Sequence, residues 1–424
     1  MTPSTLFTEL TLPNGAVLPN RLAKASMEEN MADRQQLPDQ ALWTLYDGWA
    51  KGGAGLILTG NVMVDGRALT GPGGVVLENG QDLAPFKRWA QAGKSGGGQL
   101  WMQINHPGRQ VFERMGQQAW APSAVPLDLG SYSKLFAQPR EMTAADIADV
   151  VRRFARTAQM AEQAGFNGVE IHAAHGYLLS QFLSPLSNRR TDQWGGSLEN
   201  RARLLIDVVK AVRAVVSPGF GVGVKLNSAD FQRGGFDVAD ARAVVEWLND
   251  LSVDLVELSG GSYEAPAMQG QSRDGRTLAR EAYFLDFARD IAQAARMPVM
   301  VTGGIRRQAV AEQVLNSGIS VVGMATALAL EPALPQHWRA GRQTVPEMPP
   351  ITWKNKSAAS MAQMAMVKHQ LRRLSRAQAS QPQVSPVLAL VCDQLGTLRR
   401  TRQYRRWMAQ RGTTNVLFSS TRTD

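Results

Sequence analysis

Val169-Glu170-Ile171-His172-Ala173-Ala174-His175-Gly176-Tyr177 opens a run that continues through Leu178-Leu179-Ser180-Gln181-Phe182-Leu183-Ser184-Pro185 to Asp192. Its first residues are β-branched and apolar, the composition of a buried strand. As that strand passes into a loop it delivers two imidazoles and a phenol within six residues. Three proton-handling groups at one strand end point to a reaction centre. A zinc pair is the competing reading of His172-x-x-His175. Helical zinc pairs, however, sit four apart with a Glu between them, and the chain holds five His and one Cys from which to complete a coordination shell. No metal is expected. An arbitrary His pair is most often packed core or surface; here the flanking sequence favours chemistry.

Outward from this strand, the first 330 or so residues alternate short apolar runs with helical segments. Strands are expected at Leu22–Met27, Gly55–Val62, Gln99–Asn105, Gly168–His172, Gly221–Leu226, Leu255–Leu258, Val299–Thr302 and Ser320–Gly323. Between them Ala144–Ala164, Leu198–Val216, Val238–Leu251 and Gln308–Asn316 carry apolar residues at three and four spacing. Eight βα repeats predict an α/β fold, a (β/α)8 TIM barrel, with its active site where the strands' C-terminal ends meet the loops. A flavodoxin-like sheet needs only five or six strands. Leu10-Thr11-Leu12-Pro13-Asn14-Gly15-Ala16-Val17-Leu18 predicts a hairpin with a type I′ Asn-Gly turn, plugging the barrel's N-terminal face. The loops His106–Pro139 and Ser259–Arg280 are longer than a barrel requires, and Trp120, Tyr132, Phe136, Tyr263 and Met268 are expected to supply apolar lining. After Pro349-Pro350 the pattern changes to two Met-, Leu- and Arg-rich helices, Ser357–Ser375 and Ser385–Gln410. The expected domains are therefore a barrel over 1–345 and a basic helical extension over 346–424.

The chain has 424 residues, 44% hydrophobic and 19% charged, the balance of a globular protein. No segment approaches twenty uninterrupted apolar residues, and the first residues lack the basic-then-apolar run of a signal peptide, so a cytoplasmic location is expected. The single Cys392 forbids an internal disulfide and an iron–sulfur cluster. A net charge of +10 would suggest nucleic acid if spread over the surface, but much of it lies after Trp353, in Lys354, Lys356, Lys368, Arg372, Arg373, Arg376 and the run Arg399 to Arg406. No nucleic-acid partner is expected; a solvated face on a docked helical pair is favoured over an anionic membrane surface.

With Trp194-Gly195-Gly196-Ser197-Leu198-Glu199-Asn200-Arg201, the opening stretch resembles the Old Yellow Enzyme family, the flavin-dependent ene-reductases. The resemblance spans roughly residues 6 to 340 and returns in Asn20-Arg21-Leu22-Ala23-Lys24-Ala25-Ser26-Met27, Gly55-Leu56-Ile57-Leu58-Thr59-Gly60-Asn61-Val62 and Trp101-Met102-Gln103-Ile104-Asn105-His106-Pro107-Gly108-Arg109. It implies FMN, with Ala25, Ser26, Met27, Gly60 and Asn61 near the ring. Gln103 would pair with the pyrimidine edge, where an amide both donates and accepts. Lys225 falls where the family carries an Arg or Lys beside N1 and O2, a cation for the charge gained on reduction. Gly303-Gly304 and Ala325-Thr326, at the ends of the seventh and eighth strands, would take the phosphate.

The resemblance further implies NADH or NADPH as a transient reductant, since no Rossmann-type GxGxxG follows a strand. The substrate would be a small molecule with an electron-poor alkene, an α,β-unsaturated carbonyl compound. His172 and His175 would donate to its oxygen and Tyr177 would protonate the α-carbon. A homo-oligomer is compatible with the chain. Thr326 departs from the family, many of whose members carry a phosphate-binding Arg there; Arg306, Arg307 or backbone donors are expected to compensate. Glu28 and Ser26 depart as well, Glu28 either facing the flavin or pairing with a basic residue in its loop. The alternatives are an oxidase or N-demethylase of the same fold acting on small amines, a tRNA-modifying flavin barrel, and a non-catalytic flavin-binding role. The tRNA-modifying class uses an active-site Cys, and Cys392 lies outside the predicted barrel.

Overall fold

Eight parallel strands close on themselves in the computed structural model, which describes residues 4–267, 281–282 and 284–419. They are β1 Leu22–Lys24, β2 Leu56–Leu58, β3 Gln99–Asn105, β4 Gly168–Ala173, β5 Gly221–Asn227, β6 Leu255–Ser259, β7 Val299–Val301 and β8 Val321–Met324. Each pairs with the next, and β3 pairs with β4 and β8 with β1 to complete the ring. Every expected strand overlaps one of the eight, and the fourth, fifth, sixth and eighth each run one residue further than expected. The second is the most shortened: the chain leaves the barrel after Leu58, and a separate strand Val62–Met63 pairs with the far end of β3.

The helices that cover the barrel form for local reasons. Ala144–Gln163 starts at a capping box between Thr143 and Asp146 and buries Ile147, Val150, Phe154, Ala158 and Ala161 along one stripe. Outward-facing Val169, Ile171, Val222 and Val224 meet such stripes in the main core. Inward-facing residues build two layers. The lower layer is apolar, with Ala23, Leu56, Leu58, Trp101, Leu255, Met300 and Val321 packed on Leu12 and Leu18 of the N-terminal hairpin. That hairpin plugs the barrel as expected, but its turn is not type I′. Gly15 alone of the Asn-Gly pair is left-handed (φ 84°), and Asn14 Oδ1 accepts the Ala16 N–H at 3.1 Å, so a wider loop joins Leu10–Thr11 to Val17–Leu18. Glycine makes room for the floor: a Cβ on Gly221 would lie 2.3 Å from Trp101 Cζ2.

Beyond the barrel, the tail helices Lys356–Leu374 and Pro386–Ser419 dock on it. Leu371 of the first is buried in the main core. Tyr404 and Trp407 of the second pack with Met63, Leu69, Val76 and Met115, and Tyr404 Oη donates to Gly66 O at 2.9 Å. Arg372 and Asp393 join the two helices in an ion pair, and Arg411 reaches Glu78. Among the described residues no helix is long and apolar enough to cross a membrane.

Candidate active site

Above the apolar floor, the inward positions become polar. Strand register decides the neighbours: Glu170 lies beside Gln103, His172 beside Lys225, and Lys225 beside Glu257. Lys225 Nζ donates to Glu257 Oε1 at 2.7 Å in a pair almost wholly removed from solvent. Gln103 Nε2 donates to Glu170 Oε2 at 2.6 Å, while Gln103 Oε1 accepts from Ser26 Oγ at 2.7 Å. Burial, and then the charge of Glu257, push the Glu170 carboxyl well above the ordinary range. Both acids stand inside apolar strand runs, Val169-Glu170-Ile171 and Val256-Glu257-Leu258, a signal the sequence reading passed over.

At the C-terminal end of β4 the backbone turns sharply. His175 and Gly176 are both left-handed (φ 61° and 71°), and the His175 N–H donates to Asn227 Oδ1 at 3.1 Å. Glycine is required next, because a Cβ on Gly176 would approach Gln110 Oε1 to 2.9 Å and Ser262 Cβ to 3.0 Å. The turn brings the His172 and His175 rings to 5.0 Å and the His172 and Tyr177 rings to 4.9 Å, each pair edge to face. His172 Nδ1 accepts the Ala174 N–H at 3.2 Å, which places the proton of a neutral ring on Nε2. His175 Nε2 lies 2.8 Å from Ser259 Oγ. Burial holds both imidazoles well below their usual pKa, with the neighbouring positive charge of Lys225 adding to it. Burial likewise raises the Tyr177 phenol, whose oxygen lies 3.2 Å from Tyr263 Oη.

A cavity of about 620 Å³ gathers these groups. That is the size of a small-molecule site. It is lined by His172, His175, Tyr177, Ala25, Ser26, Met27, Asn61, Gln103, Lys225, Gly303, Gly304, Ala325 and Thr326, so twelve further expected residues join His172 in one place. Gly60 is the exception among the expected site residues. It does not line the cavity; its N–H donates to Tyr46 Oη at 2.9 Å and to Glu29 Oε1 at 3.2 Å. Behind it Lys24, lowered to about 8 by burial, sits 4.4 Å from the centre of the Trp49 ring and donates to Leu58 O at 2.8 Å. Gly60 thus closes a buried Lys24–Glu29–Tyr46 network outside the barrel.

Other expectations are corrected too. Trp120 stacks on His106, Phe136 packs on Phe112, and Tyr132 is exposed; none of the three lines the cavity, because the loop carrying them folds against its own neighbours. Tyr263 reaches the site through its contact with Tyr177, and Met268 lies outside the described residues. Of the two arginines expected near the phosphate, Arg306 lines the cavity and Arg307 does not; both donate to Glu281, at 3.0 and 2.7 Å, and Arg306 also meets Glu347, so carboxylates already meet both charges. Glu28 lines the cavity and accepts from Thr70 Oγ1, and it has no ion pair among the described residues.

The donors suit a flavin mononucleotide. Gly303 (φ 134°) and Gly304 (φ 74°) hold backbone that other residues rarely adopt, and their N–H groups find no acceptor among the described residues. Gln103, with one N–H and one lone pair still unused, stands in the same layer as the Lys225 ammonium.

A model of the NADH:flavin oxidoreductase / NADH oxidase family matches residues 5–344. The NADH-dependent flavin oxidoreductase iliE of Neonectria sp. is 41% identical over 352 residues, 77% of this chain and 46% of the relative, so the chain spans about half the length of that protein. The iliE protein of Hypocrea jecorina is 39% identical over 349 residues, 77% of this chain and 87% of its own. The structure of morphinone reductase in complex with tetrahydroNAD superposes with a TM-score of 0.68 at 27% identity, over 82% of this chain and 93% of that one.

Proposed function

The chain belongs to the NADH:flavin oxidoreductase / NADH oxidase family, the family of the Old Yellow Enzymes with FMN as cofactor, and from that premise we propose that it reduces the activated C=C bond of α,β-unsaturated carbonyl compounds with NAD(P)H. The observation that carries this reading is the pairing of two neutral imidazoles with a protonated phenol at one end of β4. FMN, when bound, supplies a ring able to take a hydride from the nicotinamide and return it to a second substrate. Ala25–Met27, Asn61, Gln103 and Lys225 would hold that ring, and Gly303-Gly304 with Ala325-Thr326 its phosphate.

The protein's own part is hydrogen bonding and proton placement. His172 Nε2–H donates to the substrate carbonyl oxygen; in the tautomer in which Ser259 Oγ donates to His175 Nε2, the other nitrogen of that ring is a second donor. Two donors on one oxygen polarise the conjugated alkene and favour charge moving onto the oxygen as hydride arrives at the β-carbon. Their neutrality matters, because a charged imidazolium here would have to be desolvated next to Lys225. Tyr177 Oη then gives its proton to the α-carbon, and Tyr263 Oη, within hydrogen-bond reach, stabilises the phenolate left behind.

Tyr177→Phe separates the two halves of the cycle. Reduction of the flavin by NADH should be nearly unchanged, whereas its reoxidation by a cyclic enone in anaerobic stopped flow should slow by about 10²-fold, the low end for loss of a general acid. Equal loss in both half-reactions, or reoxidation by dioxygen but by no enone, would overturn the proposal and favour an oxidase.

A further inference from the structure

The first tail helix contributes a wall to the cavity. Ser360, Gln363, Met364, Val367, Lys368 and Leu371 recur at three and four spacing, so they form one helical face, and that face lines the same cavity as Gly303, Gly304, Ala325 and Thr326. Two contacts hold the helix there, Leu371 buried in the main core and Arg372 paired to Asp393 of the second tail helix, and Asn355 caps its start. The helix, its cap and Asp393 lie beyond residues 5–344, the span matched by the family model.

Charge at this end of the cavity is unevenly assigned. Arg306 is committed to Glu281 and Glu347, and Arg307 to Glu281. Thr326 brings a hydroxyl and no charge. Lys368 is half-buried and, among the described residues, has neither a hydrogen bond nor an ion pair. A partly exposed ammonium at the cavity wall that no carboxylate engages is free to meet an anionic group of a bound ligand. We propose that Lys368 supplies the cation for the FMN phosphate, and that helix Lys356–Leu374 is a strap that closes the phosphate end of the cofactor site. The inference rests on FMN being the cofactor and is independent of what the reduced flavin then acts on.

Riboflavin, which lacks the phosphate, is the discriminating probe. In full-length apoprotein, with binding read from quenching of flavin fluorescence, Lys368→Gln should weaken FMN by about tenfold or more, the scale of a lost charge-assisted hydrogen bond. Riboflavin affinity should not change. Lys368→Arg should keep most of the FMN preference, and adding Thr326→Arg to Lys368→Gln should restore it. In the unaltered protein, FMN but not riboflavin should shield Lys368 from an amine-reactive reagent, read by mass spectrometry, which tests the contact without any substitution. Equal weakening of FMN and riboflavin would show a structural role, and unchanged affinity for both, or unshielded Lys368, would remove it from the site. Failure of the parent protein to bind FMN at all would refute the cofactor itself, and binding of FMN without enone reduction would leave this proposal standing and overturn only the proposed activity.

Discussion

In the proposed mechanism His172 and His175 serve as neutral donors, because burial holds both imidazoles well below the pKa of free ones. A ring buried beside another ring and near Lys225 would have to accept a proton against desolvation and like charge, so it stays neutral well below its usual pKa of 6.5. Two consequences follow, with different signs. The affinity for an uncharged ketone should be flat from about pH 5.5 to 8, since the donors keep one protonation state throughout that range. A loss of affinity as pH rises through about 6.5 would mean that imidazolium is the binding form and would sink the assignment. His172→Ala should weaken such a ligand by about 1 kcal/mol, the net worth of a hydrogen bond exchanged with water. The unfolded imidazoles protonate below about 6.5 while the folded ones resist, so their contribution to stability is present above that pH and is lost as pH falls. His106, held down to about 4 by burial, adds to the same acid-side loss.

At the scale of elements, the tail shows what periodicity can and cannot settle. Interleaved Leu, Val, Met and Trp residues were enough to expect two helices after Pro349-Pro350, and helices Lys356–Leu374 and Pro386–Ser419 are found there. Which face each helix buries was not legible. The second one leaves Val387, Leu388, Val391, Leu395 and Leu398 exposed and buries Tyr404 and Trp407 instead. A repeat in sequence cannot tell an inward stripe from an outward one when the partner surface comes from residues 63 to 115. Trp407 is the anchor, with Arg411 stacked over its ring at 4.4 Å. Trp407→Ala should cost about 3–5 kcal/mol of docking, the usual range for a buried Trp cut to Ala. The expected result is faster proteolytic cleavage within the second helix and little change in barrel melting. An equal fall in barrel stability would show that this helix is as integral to the fold as the first.

For the molecule as a whole, the barrel was legible because parallel strands covered on both faces are continuous apolar runs, and the place of the candidate site because a barrel presents its chemistry at the strands' C-terminal ends. Segments that approach from far along the chain were not legible: the pairing of Arg306 with Glu281, the contact of Tyr263 with Tyr177, and the arrival of Lys368. The layer between apolar floor and cavity was also missed, although Glu170 and Glu257 interrupt apolar strands. That layer has a measurable cost. Lys225 neutralises one carboxylate, Glu257, and a proton on Glu170 gives Glu257 Oε2, which otherwise has no donor among the described residues, its hydrogen bond. With its pKa raised by burial, Glu170 holds a proton in the folded state at pH values where the unfolded chain has released it. Folded protein then binds more protons than unfolded, so this contribution is fully present below the ordinary Glu pKa of 4.5 and is lost as pH rises through the higher folded value. Glu170→Gln keeps a donor for Glu257 and removes the titration. Its stability in urea should therefore exceed that of the parent at pH 8 by more than at pH 5, with the two curves converging toward acid; the histidine contributions, being common to both proteins, cancel in the difference. A difference that is constant with pH would mean that Glu170 is ionised in the fold, and the proton shared with Glu257 would have to be abandoned.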